Sequence, residues 1–222
     1  MQDVGSLGAE AAALVATVIS VAAAVPQLHR IIRRRERLGV SVTSAALGVG
    51  TELTWVAYAS TSGLWSALPE AAAMATVDAA LLVAQARQGA AARSAMIAGA
   101  MWTLTLVAVG AVGGMGALAA VLGVGYLVQV APAVWTAWTT TTPSGVPAAT
   151  WTMVGFEGLL WGAYGTHHAD PATTGFAVVA VAAATAMLVR KVTVARRGAA
   201  RRRAIGTWSS APTPAVASAG AA

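Results

Sequence analysis

Residues 26–58 read PQLHRIIRRRERLGVSVTSAALGVGTELTWVAY, and residues 132–164 read PAVWTAWTTTTPSGVPAATWTMVGFEGLLWGAY. The two stretches align without gaps at an offset of 106 positions (132 minus 26), and seven positions are identical. The identical pairs are Pro26/Pro132, Gly39/Gly145, Val40/Val146, Leu53/Leu159, Trp55/Trp161, Ala57/Ala163 and Tyr58/Tyr164. Because several pairs involve scarcer residue types in a chain rich in alanine and valine, the match predicts an internal repeat.

The composition is that of a membrane protein. Of 222 residues, 57% are apolar and 10% are charged, whereas soluble domains average about 25% charged residues. Apolar runs long enough to cross about 30 Å of hydrocarbon as helices recur along the chain. We predict seven spans, near 8–29, 42–60, 67–86, 95–112, 116–138, 148–165 and 171–189. The weakest boundary is the one between the fourth and fifth spans, where residues 111–116 (AVGGMG) predict a glycine-rich turn.

Basic residues set the expected orientation, because cytoplasmic loops collect lysine and arginine. All fourteen follow the first, third or seventh predicted span: Arg30, Arg33, Arg34, Arg35, Arg37, Arg87, Arg93, Arg190, Lys191, Arg196, Arg197, Arg201, Arg202 and Arg203. The N-terminus and the last outer loop carry Asp3 and Asp170 instead. The N-terminus is therefore predicted to lie outside and the C-terminus inside.

The repeat and the spans together predict the domain organisation. The fold class is an all-α integral membrane protein with seven transmembrane helices in a 3-1-3 arrangement. Residues 1–93 form the first three-helix repeat, 94–113 a linker helix, 114–190 the second repeat, and 191–222 a disordered basic cytoplasmic tail. Both repeats begin outside, so they are related by an axis along the membrane normal, and a solute path is expected on that axis.

Carboxyl groups near the predicted midplane are the first candidates for function. They are Glu52, Asp78 and Glu157, and a charged side chain at a helix centre costs about 2.5–3.5 kcal/mol on insertion scales. No lysine or arginine lies inside a predicted span. These groups must therefore face water, share hydrogen bonds or stay protonated. The structural alternative is a protonated carboxyl group that only joins neighbouring helices.

Helical spacing places candidate residues on shared faces. The second and sixth predicted helices carry matching stripes: Glu52, Trp55 and Tyr58, and Glu157, Trp161 and Tyr164. On the third helix, Glu70 and Asp78 are eight positions apart and share one face. We expect these faces to meet at the axis and to contact substrate. The alternative for both tryptophans is core packing or a position at the lipid interface.

The quoted residues resemble a known family. The first copy has Val25-Pro26-Gln27, a basic loop, Leu38-Gly39-Val40-Ser41 and then Trp55-Val56-Ala57-Tyr58. The second copy has Ala131-Pro132-Ala133, Ser144-Gly145-Val146-Pro147 and Trp161-Gly162-Ala163-Tyr164. This pattern is similar to that of the PQ-loop superfamily, and within it to the SWEET and SemiSWEET sugar transporters in their two-repeat, seven-helix form. The resemblance covers about residues 8–190.

The resemblance implies roles for individual positions. The tryptophans Trp55 and Trp161 would flank a sugar, and Glu70 falls near the place of an asparagine that binds sugar hydroxyls in that family. The resemblance also implies a hinge or gate role for a second set of residues: Pro26, Gln27, Pro132, Tyr58 and Tyr164. On the sequence alone, each proline could equally be a static kink.

These observations predict a membrane transporter that moves mono- or disaccharides passively by alternating access. One alternative is a proton-coupled transporter of amino acids or other polar solutes, favoured by the unpaired carboxyl groups. Another is a seven-helix receptor or binding protein. No phosphate-binding motif or serine constellation is present in the sequence, so neither an ATP-driven pump nor an enzyme is expected.

The remaining expectations concern partners. Arginines at membrane faces account for the pI near 11 without a nucleic-acid partner. His167, His168 and Asp170 lack a fourth ligand in their predicted loop, so no metal site and no cofactor is expected. The expected partners are the lipid bilayer, a small solute, most simply a sugar, and possible further copies of this chain. We expect a multi-pass protein of a cell membrane, the bacterial plasma membrane.

Overall fold

The computed structural model describes residues 4–34, 42–87, 89, 92–139 and 148–209, and these residues form helices joined by short turns, with no strand among them. The α-helices are α1 (Val4–Arg34), α2 (Val42–Ser62), α3 (Leu68–Arg87), α4 (Ala92–Thr139), α5 (Ala148–His167) and α6 (Pro171–Ser209). A short 3₁₀ helix, Trp65–Ala67, leads into α3. The predicted all-helical fold is confirmed.

Four segments are long and apolar enough to cross a membrane: Gly5–Val25, Trp65–Arg87, Ala92–Ala131 and Pro171–Ala199. The structure therefore has the character of a multi-pass membrane protein. The helices α2 and α5 are 21 and 20 residues long, but threonine, glycine and one glutamate in each lower their hydropathy. These two helices also carry the predicted Glu-Trp-Tyr stripes.

A backbone break at Gly114 divides α4 into α4a (residues 92–113) and α4b (residues 115–139). Gly114 has φ 74° and ψ −177°, which is not a helical conformation. A Cβ atom on Gly125 would lie 4.0 Å from the ring of Trp102, although a straight helix would separate these residues by roughly 35 Å. The chain therefore reverses at Gly114, and α4a and α4b lie side by side. The glycine-rich turn expected over residues 111–116 is reduced to this one residue.

The last helix is longer than the sequence predicts. A disordered tail was expected from residue 191, but α6 continues to Ser209. Alanine and arginine dominate this extension, and both favour helix. At its base, the Arg190 Nε donates a hydrogen bond of 2.9 Å to the carbonyl of Ala137. The rest of the expected tail, residues 210–222, lies outside the described residues.

Helix contacts surround a common centre. The helix α1 packs against α3 and α5, α2 packs against α3 and α4, and α6 packs against α4 and α5. Small residues allow the closest approach, since the Cα of Gly175 would lie 3.3 Å from a Cβ atom on Gly123. The largest core cluster includes Tyr58, Tyr164 and Trp161. Residues of both predicted repeats thus share one core.

The bundle has two distinct ends. We name the turn end after the short connections at residues 62–68 and 167–171, which join α2 to α3 and α5 to α6. The opposite end holds the last turn of α3 with Arg87, the start of α5, and Arg190 and Lys191 of α6. We name it the basic end.

Candidate functional site

A cavity of about 340 Å³ lies between the helices, and residues from all six α-helices line it. The structure places every predicted substrate-binding residue in its wall: Glu52, Trp55, Glu70, Asp78, Glu157 and Trp161. These residues come from α2, α3 and α5. The glutamate and tryptophan of each stripe therefore converge on one space, whereas Tyr58 and Tyr164 are not among its lining residues.

The repeat organises the cavity wall. Seven pairs of lining residues are related by the offset of 106 positions, among them Trp55/Trp161 and Glu70/Phe176. The offset also pairs Thr51 with Glu157, so the counterpart of Glu157 is not Glu52. The two carboxyl groups occupy neighbouring rather than equivalent positions. Equivalent backbone positions of the two repeats thus line the wall, but many of the paired side chains differ in chemical type.

Four carboxyl groups share this space. Glu52 interacts electrostatically with Glu70, Asp78 and Glu157, and each of the four residues is partly buried. No lysine, arginine or histidine occurs among the described residues that line the cavity. Asp78 also rests against the backbone of α2, where a Cβ atom on Gly48 would overlap its carboxyl group. The wall therefore concentrates acidic groups without a basic side chain to neutralise them.

Ser20 is a site residue that the sequence reasoning missed. Its hydroxyl lies 2.7 Å from Oε1 of Glu157 and 3.0 Å from the carbonyl of Ala16, and it also lies beside Glu70. It therefore connects α1 with carboxyl groups on α3 and α5. The signal was present, because the offset pairs Ser20 with Tyr126 and both line the cavity.

Aromatic rings form the apolar part of the wall. Trp55 contacts Phe176 edge-on, with 6.4 Å between ring centroids, and Phe176 in turn contacts Tyr126 at 5.1 Å. Trp161 is 3% exposed. Its indole N–H lies beside the carboxyl group of Glu157 but forms no hydrogen bond with the described residues. The wall thus contains aromatic rings and one buried N–H donor beside a carboxyl group.

The predicted gate tyrosines, Tyr58 and Tyr164, lie between the cavity and the turn end. Both are buried. The hydroxyl of Tyr58 donates a short hydrogen bond to Asp170. Asp170 also accepts hydrogen bonds from the backbone N–H and the hydroxyl of Thr173, at 2.7 and 2.6 Å. Asp170 therefore caps α6 and holds α2 against it.

A second contact closes the turn end. Nε2 of His168 lies 3.0 Å from Oε1 of Glu10, which joins α5 to α1. The ring of His168 packs against Tyr164 in a tilted arrangement, with 4.4 Å between the ring centroids. Because both partners of the polar pair are partly exposed, the pair adds little to stability, but it fixes the distance between the two helices.

The predicted hinge residues lie within long helices. Pro26 and Gln27 belong to α1, and Pro132 belongs to α4b. Their side chains lie outside the described part of the structure, so their hinge role stays a prediction. The expected absence of a metal site likewise stays a prediction. Among the described residues, no group of three or more histidine, aspartate and glutamate side chains has the geometry to hold a metal ion.

Comparison of the chain with family models, with curated proteins and with solved structures finds no match. The likeness to the PQ-loop pattern therefore depends on the residues quoted above alone.

Proposed function

We propose that the chain is a membrane transporter that exposes the central cavity alternately to the two sides of the bilayer. The observation that carries this proposal is the cavity wall, because the repeat supplies it with paired residues from both halves of the chain. A site between two like-oriented repeats is where rocking of one repeat against the other changes access.

The proposal includes the 3-1-3 arrangement. The reversal at Gly114 supports it, because it turns α4 into a linker helix, α4a, and a first helix of the second repeat, α4b. The contacts of α3 with α1 and α2, and of α6 with α4 and α5, support two three-helix groups. The arginines favour an orientation with the basic end inside and the N-terminus outside.

In this proposal, the described conformation faces inward. The turn end is closed by Tyr58, Asp170, Glu10 and His168. The cavity wall extends toward the basic end as far as Thr150, which is exposed in the first turn of α5. Outward opening would break the two contacts at the turn end, with bending at Pro26 and Pro132.

The substrate that the resemblance implies is a mono- or disaccharide that moves passively. The cavity volume lies in the range of small-molecule sites, about 300–1,000 Å³, and Trp55 and Trp161 line it from equivalent positions. An indole face can stack on the apolar face of a sugar ring. The carboxyl groups can accept hydrogen bonds from hydroxyls.

A second candidate is proton-coupled transport of amino acids or other polar solutes. The specific observation that favours it is the group of four carboxyl residues without a basic residue among the described lining positions. Membrane-embedded carboxyl groups are the usual carriers of protons in transporters.

The test uses the purified full chain in liposomes, offered labelled sugars and labelled amino acids with and without a pH gradient. Sugar flux that is indifferent to the gradient supports the passive transporter, and flux that follows the gradient supports the coupled one. Saturable binding without flux of any solute would overturn both readings in favour of a receptor.

A further inference from the structure

The chemistry of the cavity wall narrows the substrate class. We infer that the cavity binds a small hydroxylated organic cation, that is, an ammonium compound carrying at least one hydroxyl group. This inference rests on the proposed function of the cavity as a solute site. It follows from three features of the wall: its charge, its aromatic rings and one buried donor.

Charge is the first feature. The carboxyl groups of Glu52, Glu70, Asp78 and Glu157 line one space of about 340 Å³, and no basic side chain is present among the described lining residues. A buried carboxylate is costly unless a partner of opposite charge or several donors stabilise it. The described wall provides the Ser20 hydroxyl as a donor to Glu157 but no cationic partner, so a positively charged solute completes the electrostatic balance.

The aromatic rings are the second feature. Trp55, Trp161, Tyr126 and Phe176 line the same space, and rings bind organic ammonium groups through their faces. Inorganic cations prefer a shell of oxygen ligands, which an apolar ring cannot provide. The combination of carboxyl groups with ring faces therefore selects an ammonium group with attached carbon rather than a metal ion.

The buried donor is the third feature. Trp161 is 3% exposed and lines the cavity, and its indole N–H lies beside the carboxyl group of Glu157 without a hydrogen bond of good geometry. A buried donor in this position is incompletely satisfied. A ligand oxygen can accept this hydrogen bond. A carboxylate on the ligand would be repelled by the acidic wall, so a hydroxyl oxygen is the acceptor that fits.

The test compares ligands of one shape and different charge. Choline is a permanent cation with one hydroxyl group, and 3,3-dimethylbutan-1-ol is its neutral counterpart. Binding of labelled choline to the purified full chain in detergent is measured with the alcohol as competitor. We expect choline to bind about tenfold or more tightly than the alcohol. Equal affinities, or no binding of either compound, would overturn the inference.

Variants locate the binding. Glu157→Gln and Trp55→Leu should each weaken choline binding several-fold. Glu157→Gln should weaken the binding of choline more than the binding of the neutral alcohol, because only choline loses a charge interaction. Thr152→Ala is the matched control on α5, since Thr152 is exposed and its hydroxyl bonds only the carbonyl of Ala148. Folding is checked by thermal unfolding, and choline binding that survives both site variants would contradict the assignment.

A flux measurement separates this inference from the proposed function. Liposomes containing the full chain are offered glucosamine and glucose, which differ at one amino group. Preferential uptake of glucosamine supports both the transporter and the cationic substrate. Equal or greater uptake of glucose would overturn the inference while leaving the sugar transporter intact. Choline binding without flux of any solute would leave the site chemistry standing and overturn transport.

Discussion

Asp170 connects two elements, α2 and the start of α6, through a single carboxylate. It precedes Pro171 at the start of α6 and accepts two hydrogen bonds from Thr173, which is the arrangement of a helix N-cap. Its other carboxylate oxygen accepts a hydrogen bond from the hydroxyl of Tyr58. The residue is 7% exposed, so water does not readily replace these bonds. Stability and closure of the turn end therefore depend on the same side chain.

Replacing Asp170 should cost more than replacing its partner. Asp170→Ala removes the cap, which should lower the stability by about 1 kcal/mol. It also leaves the buried Tyr58 hydroxyl without an acceptor, which should lower the stability by a further amount of about 1–3 kcal/mol. Tyr58→Phe removes only the contact between helices and should cost about 1 kcal/mol. Thermal or denaturant unfolding in detergent measures both changes. Equal destabilisation by the two variants would show that the cap contributes nothing.

The tryptophan pair gives a second prediction at the residue scale. Trp55→Ala and Trp161→Ala should each abolish solute flux in liposomes, because both rings line the cavity. Trp161→Ala should also lower stability by about 3–5 kcal/mol, since the ring is fully packed. Trp135→Ala is the control, because Trp135 is 73% exposed.

Wild-type flux in both cavity variants would count against a transport role for the tryptophan pair. If both cavity variants retain wild-type flux while Trp161→Ala unfolds at a lower temperature, then the pair is packing alone. If Trp135→Ala reduces flux as strongly as they do, the effect is a general one on insertion or folding.

At the scale of the element, the reversal in α4 depends on one glycine. Gly114 has φ 74° with an extended ψ, a region that residues with a Cβ atom rarely adopt. Nothing lies within 4 Å of a Cβ atom built there, so the constraint is in the backbone and not in packing. The neighbouring Gly116 is helical and equally open.

Substitution by alanine should therefore change the stability of the protein differently at the two glycines. Gly114→Ala should destabilise the protein by about 1–3 kcal/mol because of backbone strain. Gly116→Ala should be neutral or stabilise it by up to about 1 kcal/mol, because alanine favours helix over glycine. Unfolding of both variants in the same detergent gives the comparison. A loss of stability in Gly116→Ala that matches Gly114→Ala would argue against the reversal at residue 114.

The elements also show what the sequence could predict. Helical periodicity and apolar length located each helix to within a few residues at most ends, because tertiary contacts seldom move a long apolar segment. The end of α6 was not predicted, because a strongly charged segment is typical of disordered chains. Its alanine and arginine residues nevertheless favour a helix. The reversal at Gly114 was predicted as a turn but not as one residue, because four glycine or small residues there were equivalent candidates.

For the whole molecule, the repeat predicted the site better than any single motif. The offset identified Trp55 and Trp161 at once, and it pairs Ser20 with Tyr126, which the reasoning from charges overlooked. It did not predict the closure of the turn end. The contacts there join residues that are distant in sequence, Glu10 with His168 and Tyr58 with Asp170, so only the packing of α1, α2, α5 and α6 brings them together.

This closure provides the last prediction. The chain has no cysteine, so Glu10→Cys and His168→Cys can be introduced together without other thiols. The two native side chains lie 3.0 Å apart at their tips, so a short bifunctional methanethiosulfonate should bridge the introduced thiols. Alternating access requires α1 and α5 to separate at this end. Bridging should therefore stop flux of any solute that the liposome panel identifies, and reduction should restore it.

The controls follow from the same geometry. Each single cysteine variant, treated with the same reagent, should keep its flux, because one modified side chain does not hold two helices together. Binding of ligand from the basic end should survive in the bridged protein, since the cavity wall reaches the exposed Thr150 on that side. Full flux through completely bridged protein would mean that the turn end never opens. The cavity would then be a binding site with a single entrance, as in a receptor.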